Sequence, residues 1–367
     1  MYITSADDSQ FSSWFANVHN AKYPDSDLKD TSVKNITIIV TEDCNFACTY
    51  CYQHCKTSNM LSAKMATEIV DFILNEDLVN GYYTVEKSPC VILDFIGGEP
   101  LLNIDAIEAF MEYFVFRASQ LNHPWAINYC ISMSSNGSLY HTEKVQKFVA
   151  KYKGRCSIGI TIDGSKELHD SCRVFKDGGG TYDIVEKNFL LRLSQGGHPS
   201  TKITIAPENL QYIHDAIIHL SSLGIKFLNA NVVFENVWKQ EHAVEFYQIL
   251  KKLANTFLET ELYRKCTTSL FEEQLGTPML ETDDRNWCGG DGSMLAIGVD
   301  GTCYPCLRYM KYCFSTKDRE PIVVGNIYDG LKTPEQCEPL KCLTCLTRKS
   351  QSTDECFNCP IAQGCSW

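Results

Sequence analysis

The stretch Cys44-Asn-Phe-Ala-Cys48-Thr-Tyr-Cys51 directly follows a run of β-branched and apolar residues at 35–41. That run has the composition of a buried strand, so the three cysteines fall at the strand's carboxyl end. Their spacing is C-x3-C-x2-C. Three thiolates can bind three irons of a cubane cluster and leave the fourth iron open to a small chelating molecule. A zinc site, or three unrelated buried thiols, are the alternatives that the spacing alone leaves open.

Six strand-like runs, each followed by a helical pattern, extend from this motif. The runs lie at 35–41, 91–96, 128–133, 157–162, 202–205 and 226–234. After the first, Met65, Ile69, Phe72 and Ile73 recur at helical spacing and form one apolar stripe. About 200 residues hold six βα units of roughly 30 residues, whereas a full barrel needs eight units. The sequence therefore predicts an α/β fold with a partial (β/α)6 TIM barrel as its core.

Polar segments follow the second, third and fourth runs. They read GGEP at 97–100, SSNG at 134–137 and TIDG at 161–164, with Arg173 shortly beyond. Each alone could be a turn. Because the carboxyl ends of barrel strands meet at one face, where barrel active sites are built, the segments together predict one site shared with the cysteines. In such a site, paired glycines let backbone approach a ligand, and Glu99 can accept from an ammonium group.

In this order the motifs resemble the radical SAM superfamily, whose signature is a CxxxCxxC triplet with a GGE after the second strand of a partial barrel. The resemblance implies that Cys44, Cys48 and Cys51 hold a [4Fe-4S] cluster whose open iron binds S-adenosylmethionine. Reductive cleavage then yields a 5′-deoxyadenosyl radical. The cofactor contacts that the resemblance implies are Gly97, Gly98 and Glu99 for the amino group, Thr161 and Arg173 for the carboxylate, Asn136 for the ribose and the backbone of Tyr50 for the adenine, with Asp163 in the same set. Cys55 departs from the pattern, because a fourth thiolate would close the open iron.

The composition bounds the class of protein. The chain has 367 residues, a formal net charge of −12 and 19 cysteines. The cysteine fraction is too low for a small disulfide-stapled domain, and the acidic balance disfavours nucleic acid as the main partner. The first residues lack a basic region followed by an apolar one, and the apolar runs are strand-sized. The sequence predicts a cytoplasmic protein without a membrane partner, in which clustered cysteines bind metal.

Ten cysteines lie between Cys288 and Cys365. The spacing from Cys288 through Gly301 to Cys306 is C-x12-G-x4-C, and it resembles the SPASM extension of radical SAM enzymes. That resemblance implies one or two auxiliary [4Fe-4S] clusters. The register of the later ligands stays open: a fourth cysteine of the second block would fall at position 369, beyond Trp367, so either the chain is truncated or the spacing is looser. The remaining predicted ligands are Cys342, Cys345, Cys356, Cys359 and Cys365.

Zinc is the alternative for one of the C-terminal sites, since two C-x2-C pairs form a plausible four-thiolate ribbon. Cys303, Cys313 and Cys337 are ambiguous, and the isolated cysteines elsewhere are expected to be buried small apolar residues. The region has few apolar positions, so it is expected to need metal to hold its shape. The predicted units are an N-terminal extension at 1–34, the radical SAM partial barrel at 35–235, a helical bridge at 236–285 and a SPASM-like auxiliary-cluster domain at 286–367.

The resemblance favours an oxidative peptide modification, in which auxiliary clusters accept an electron. The predicted function is maturation of a cysteine-containing ribosomal precursor peptide by thioether formation. An anaerobic sulfatase maturase, a peptide epimerase and a carbon–carbon crosslinking enzyme are the alternatives.

The sulfatase maturases place an aspartate after the final cysteine of the DGxxYPC segment, where this chain has Leu307. A flavodoxin or ferredoxin is the expected electron donor. The residues before the first strand are too few for a leader-binding domain, so a separate leader-binding protein is a further expected partner. No motif identifies a catalytic acid or base.

Overall fold

The computed structural model describes residues 33–79, 89–233, 237–272, 277–284, 290, 294–314 and 319–364. Its core is built of parallel strands. Strands β1 (Val33–Thr41), β2 (Cys90–Gly97), β3 (Tyr129–Ser135) and β4 (Cys156–Ile160) pair in parallel in that order, and β5 (Ser200–Ile205) pairs in parallel with β6 (Phe227–Val232). All six predicted strands are present and the predicted α/β class is confirmed. Residue 234, where the last predicted run ends, lies outside the described residues.

The helices follow the strands in alternation. Ser62 caps the first of them, because its Oγ accepts a hydrogen bond from the Met65 N–H at 3.1 Å. The helices are α1 (Ala63–Ile73), α2 (Ile104–Gln120), α3 (Glu143–Lys151), α4 (Lys166–Cys172), α5 (Tyr182–Ser194), α6 (Ile213–Ser222), α7 (Gln240–Glu259), α8 (Glu338–Thr344), α9 (Arg348–Gln351) and α10 (Asp354–Phe357). Helix α7 falls within the predicted bridge. Among the described residues, no helix is both long enough and apolar enough to cross a membrane.

Alternation along the strands gives the sheet two unlike faces. On one face Ile36, Leu93 and Ile131 are fully buried with side chains of the covering helices, such as Ile69 and Phe110. The intervening residues point to the opposite face, which we call the lumen face. The lumen face includes Thr37, Ile39, Asp94, Ile96, Ser132, Ser134, Ser157 and Lys202, and its deeper part adds Asn35, Ile92 and Cys130. It is therefore largely polar, although it belongs to the core sheet.

Side chains bridge β4 to β5. The Thr201 hydroxyl donates to the carbonyl of Ile160 at 2.9 Å and accepts from the N–H of Ile162 at 3.1 Å. The Thr204 N–H donates to Oδ1 of Asp163 at 3.1 Å. These bonds satisfy backbone groups at the junction and fix the loop after β4 against β5.

The C-terminal region extends the core sheet. Strand β8 (Leu295–Ile297) pairs in parallel with β1, and β9 (Thr302–Tyr304), β10 (Gly325–Asn326) and β11 (Gly330–Leu331) continue the sheet with antiparallel pairing, while the short β7 (Thr267–Thr268) pairs with β6. Leu295, Ile297, Val324 and Leu340 are buried in the same core as Ile36. This corrects the expectation that the region has few apolar positions, since these side chains join the core of the protein.

Candidate functional site

The three cysteines of the triplet lie on the loop that follows β1. Cys44 is buried, and Cys48 and Cys51 are half-buried. The Cys51 N–H donates to the carbonyl of Cys48 at 3.3 Å, and this tight turn brings the two residues together. Burial alone would lower the pKa of the Lys56 ammonium group. The neighbouring thiols of Cys51, Cys44 and Cys48 outweigh burial, so the pKa is raised. Lys56 therefore lies near the three thiols of the triplet, and sequence reasoning did not single it out.

Burial raises the pKa of the Cys44 thiol to about 11 and raises that of Cys48 as well. The thiols are neutral in this form, and metal binding would have to displace their protons. Among the described residues, no three His, Cys, Asp or Glu side chains are grouped as ligands of a single metal ion. A cubane has a different requirement, because each thiolate binds its own iron. The triplet fits a cluster in the chemistry of its donors.

Gly97 and Gly98 lie where the end of β2 runs against the loop that leads to Cys44. A Cβ atom at Gly97 would overlap the carbonyl oxygen of Thr41, and one at Gly98 would overlap that of Asp43. The Gly98 N–H donates to Thr41 O at 3.0 Å. The buried Gln53 donates from Nε2 to the Gly97 carbonyl at 2.8 Å. The glycines therefore permit a close approach of two chain segments beside the triplet.

The carboxylate of Glu99 is buried and joins the ends of β2 and β3. It accepts from the Ser135 hydroxyl at 2.7 Å, from the Asn136 N–H at 2.6 Å and from the Leu101 N–H at 3.1 Å. Burial raises the pKa of Glu99, and these donors oppose that shift. Protein donors thus occupy both oxygens.

The side chain of Asn136 reaches the cysteine loop. Its Nδ2 donates to Oδ1 of Asn45 at 2.8 Å and lies 3.9 Å from the Cys44 sulfur. Its Oδ1 accepts from the Ser138 hydroxyl at 2.7 Å. Thr161 lies nearby, since its N–H donates to the carbonyl of Ser135 at 3.1 Å. The structure thus brings together the predicted residues at the ends of β3 and β4.

Tyr50, Asp163 and Arg173 form a buried network. The Tyr50 hydroxyl donates to Oδ2 of Asp163 and accepts from Nη1 of Arg173 at 3.0 Å, while that Nη1 lies 3.8 Å from Oδ2 of Asp163. Burial raises the pKa of Asp163 although Arg173 opposes the shift. Within the described residues, the buried Nε of Arg173 has no hydrogen-bond partner. A buried cation with an unused donor fits an anionic ligand such as a carboxylate.

His169 supports this network in a neutral state. It is fully buried, and burial lowers its pKa to about 3. The Asp163 N–H donates to Nδ1 at 3.3 Å, so the proton of the neutral ring resides on Nε2, which lies 3.1 Å from the Thr181 hydroxyl. The imidazole therefore positions the backbone of Asp163.

The C-terminal cysteines divide by exposure. Cys306 and Cys359 are half-buried, and Cys342, Cys345 and Cys356 are exposed. The Cys345 N–H donates to Cys342 O at 3.1 Å and the Cys359 N–H to Cys356 O at 3.3 Å, the turn already seen between Cys48 and Cys51. The predicted ligands Cys288 and Cys365 lie outside the described residues.

The ambiguous cysteines separate by the face of the sheet on which they lie. Cys303 and Cys337 are buried in the helix-covered core. Cys313 instead packs with Ile39 of the lumen face, close to Tyr52 of the cysteine loop. Cys55 points toward this second region, since its sulfur lies 3.6 Å from the carbonyl oxygen of Phe314.

Comparison with known proteins identifies the class. The family model of the Radical SAM superfamily matches residues 38–233, which is more than half of the chain. The chain belongs to the radical SAM superfamily. It is therefore a radical SAM enzyme, and enzymes of this family use a [4Fe-4S] cluster and S-adenosylmethionine. The predicted family and cofactors are confirmed, and the cysteine-rich C-terminus is consistent with the SPASM type and with auxiliary clusters.

Several known proteins resemble the chain over most of its length. A cysteine-type anaerobic sulfatase-maturating enzyme of Clostridium perfringens is 23% identical over 325 residues, which cover 81% of this chain and 83% of that enzyme. The structure of native anSMEcpe with bound AdoMet matches with a TM-score of 0.67 at 20% identity, covering 90% of this chain and 88% of that one. Streptococcus suis SuiB bound to the precursor peptide SuiA matches with a TM-score of 0.60 at 12% identity, covering 97% and 74%. The structural matches show a shared fold.

Proposed function

We propose that the protein is a peptide maturase that forms thioether crosslinks in a cysteine-containing ribosomal precursor peptide. The observation that carries the proposal is a contact between the segment after Cys306 and the radical SAM site. Met310 and Tyr312 pack on Ile39, and Tyr52 and Ile96 adjoin them. The C-terminal segment with its cysteines thus lies beside the carboxyl ends of β1 and β2, which we call the mouth of the core. An iron–sulfur cluster held there could accept the electron that a substrate radical must lose.

The proposed cofactor site uses the residues described above. Cys44, Cys48 and Cys51 hold the cluster, and Arg173 binds the methionine carboxylate of S-adenosylmethionine through its planar fork. The remaining proposed contacts are Tyr50, Gly97, Gly98, Glu99, Asn136, Thr161 and Asp163. When bound and reductively cleaved, S-adenosylmethionine supplies a 5′-deoxyadenosyl radical that removes a hydrogen atom from the substrate. The network of Tyr50, Asp163 and Arg173 orients the cysteine loop, and Glu99 holds the ends of β2 and β3 together around it.

The auxiliary site is assigned to the C-terminal cysteines. We propose Cys288, Cys306, Cys342, Cys345, Cys356, Cys359 and Cys365 as ligands of one or two [4Fe-4S] clusters. Zinc at one of these sites is the alternative, and metal analysis of the isolated protein distinguishes the two. The electron donor is proposed to be a flavodoxin or ferredoxin, and a separate protein is proposed to bind the leader of the precursor.

The test is anaerobic co-expression with any small cysteine-rich peptide encoded beside the gene, followed by mass spectrometry of that peptide. Each thioether removes two hydrogens and blocks one thiol against alkylation. A variant with Cys44, Cys48 and Cys51 all changed to Ala is the control and should leave the peptide mass unchanged. Loss of two hydrogens with every thiol still free to alkylate would contradict thioether formation and favour a carbon–carbon crosslink.

Sulfatase maturation is the second candidate, because a relative that covers most of the chain carries that name. It predicts conversion of a cysteine or serine in a sulfatase peptide to formylglycine, which has a different mass change. A mass that is unchanged in ordinary water but rises by one deuterium per modified residue in heavy water would instead indicate epimerisation. The sulfatase alternative is tested in a separate incubation with a sulfatase peptide.

A further inference from the structure

Asp94 is a carboxylate on the lumen face that the cofactor site does not use. It lies in the middle of β2, in register with Thr37 of β1 and Ser132 of β3. Its neighbours along the strand, Leu93 and Phe95, are fully buried in the helix-covered core. Strand alternation therefore directs the Asp94 side chain into the lumen, where it is half-buried and lies opposite Ser132 of the neighbouring strand.

The lumen is accessible close to this carboxylate. Ser134 lies on the same face two residues nearer the carboxyl end of β3, and its side chain is exposed. Asp94 itself lies three residues before Gly97, or about 10 Å along the strand. Asp94 therefore shares a face of the sheet with the exposed Ser134 and is not enclosed in the helix-covered core.

Asp94 differs from the other carboxylates that lie near this mouth. Donors of the protein occupy both oxygens of Glu99, and those of Asp163 accept from Tyr50 and Thr204. These two acids hold the site together. Asp94 is in register with the hydroxyl-bearing residues Thr37 and Ser132 of the two neighbouring strands. Such a group of oxygens can accept and orient a polar hydrogen of a ligand.

We propose that Asp94 accepts the proton that the peptide substrate releases when its new bond forms. This role rests on the proposed function. In forming a carbon–sulfur bond, the substrate loses one hydrogen atom from carbon to the 5′-deoxyadenosyl radical, one proton from the thiol to Asp94, and one electron to an iron–sulfur acceptor. The C–H and S–H bonds break and the C–S bond forms, so the peptide is oxidised by two electrons in total.

The surroundings of Asp94 suit a base that works near neutral pH. Thr37 of β1 and Ser132 of β3 face it with hydroxyls, and Lys202 of β5 is the charged group that acts on it. Burial raises the pKa of Asp94 to about 6, against the opposing effects of Ser132 and Lys202. A base with a pKa close to the working pH combines a large ionised fraction with useful basicity.

The experiment separates hydrogen abstraction from bond formation. The cluster-reconstituted enzyme receives S-adenosylmethionine, dithionite and any small cysteine-rich peptide encoded beside the gene, made with deuterium at its carbon-bound positions. Deuterium in 5′-deoxyadenosine reports abstraction, and peptide mass reports product. Asp94→Asn is expected to lower product formation at least about 100-fold while deuterium transfer persists. Asp94→Glu should restore part of the activity, and both this variant and the wild type are expected to lose rate below about pH 6.

Two results would overturn the role of Asp94. One is an Asp94→Asn enzyme that forms product at the wild-type rate with the wild-type pH profile, and the other is a parallel loss of deuterium transfer and product. Asp105→Asn, an exposed substitution on α2, is the matched control, and equal iron content in all variants verifies the fold. If wild type itself neither transfers deuterium nor changes the peptide mass, the proposed function fails, and the role of Asp94 fails with it.

Discussion

The Tyr50 hydroxyl donates a hydrogen bond to the Asp163 carboxylate and thereby ties the cysteine loop to the end of β4. Arg173 completes the contact from the far end of α4, with Nη1 3.0 Å from the same hydroxyl. Because Asp163 and Arg173 are buried, loss of the half-buried Tyr50 hydroxyl leaves them without this partner in a medium of low dielectric constant.

Tyr50→Phe removes this hydroxyl and keeps the ring. The free energy of unfolding is expected to fall by about 1–3 kcal/mol, since one oxygen of buried Asp163 loses its donor. Chemical denaturation of the metal-free protein measures the change. Tyr113→Phe is the matched control: its hydroxyl contacts the exposed Asp71 at 3.0 Å, and its loss should cost less than about 0.5 kcal/mol. Equal losses in the two variants would show that the network contributes nothing beyond a surface contact.

Gly98→Ala tests the close approach of β2 to the cysteine loop. The added Cβ would overlap the carbonyl of Asp43, a backbone atom that can yield only if the loop before Cys44 shifts. We expect a loss of about 1–3 kcal/mol in the free energy of unfolding and reduced iron uptake on reconstitution. Gly159→Ala is the control, because its Cβ would lie 3.6 Å from the nearest atom, the carbonyl oxygen of Met133. Full iron uptake by Gly98→Ala would show that the loop tolerates the shift.

The sequence was informative where the chemistry depends on local spacing. The triplet from Cys44 to Cys51 and the GGE at 97–99 are contiguous motifs, so their placement after β1 and β2 followed from the strand pattern alone. Gln53 and Lys56 were missed, because a single amide or ammonium group carries no spacing signal. Only their proximity to Gly97 and to the thiols reveals them.

Long-range pairing was beyond the sequence pattern. Strand β8 has three residues, too few to show a period, yet it pairs with β1 across more than half of the chain. The candidate role of Asp94 was not predicted for a related reason. Asp94 interrupts an apolar run, and its role depends on its register with Thr37 and Ser132. Such tertiary relationships do not show in a local window of sequence.

The raised pKa of Asp94 predicts a pH dependence of stability in the metal-free protein. In the folded state the Asp94 carboxyl, with its pKa raised to about 6, holds a proton up to about pH 6, whereas in the unfolded chain it loses the proton near its ordinary pKa of 3.8. The native state thus binds more protons between these values, so the free energy of unfolding falls as pH rises through this window, by at most about 3 kcal/mol. Asp94→Asn should remove that decline, and Asp105→Asn should keep it. Parallel curves for wild type and Asp94→Asn between pH 4 and pH 6 would contradict the raised pKa.

Cys303 on β9 and Cys306 just after that strand have different surroundings, and these predict different outcomes for the two cysteines. Cys303 is fully buried beside Ile297 in the helix-covered core, whereas Cys306 is half-buried three residues later, in the segment that adjoins the cysteine loop. Cys306→Ala should therefore remove the iron of one auxiliary cluster, about four atoms per chain, and Cys303→Ala should leave the iron content unchanged. Iron and sulfide assays of the anaerobically reconstituted protein measure both.

Because Cys303→Ala leaves a small cavity in the core, it should lower the thermal midpoint without changing the iron content. Equal iron loss in both variants would place Cys303 among the ligands, and no loss in either would remove Cys306 from the auxiliary site.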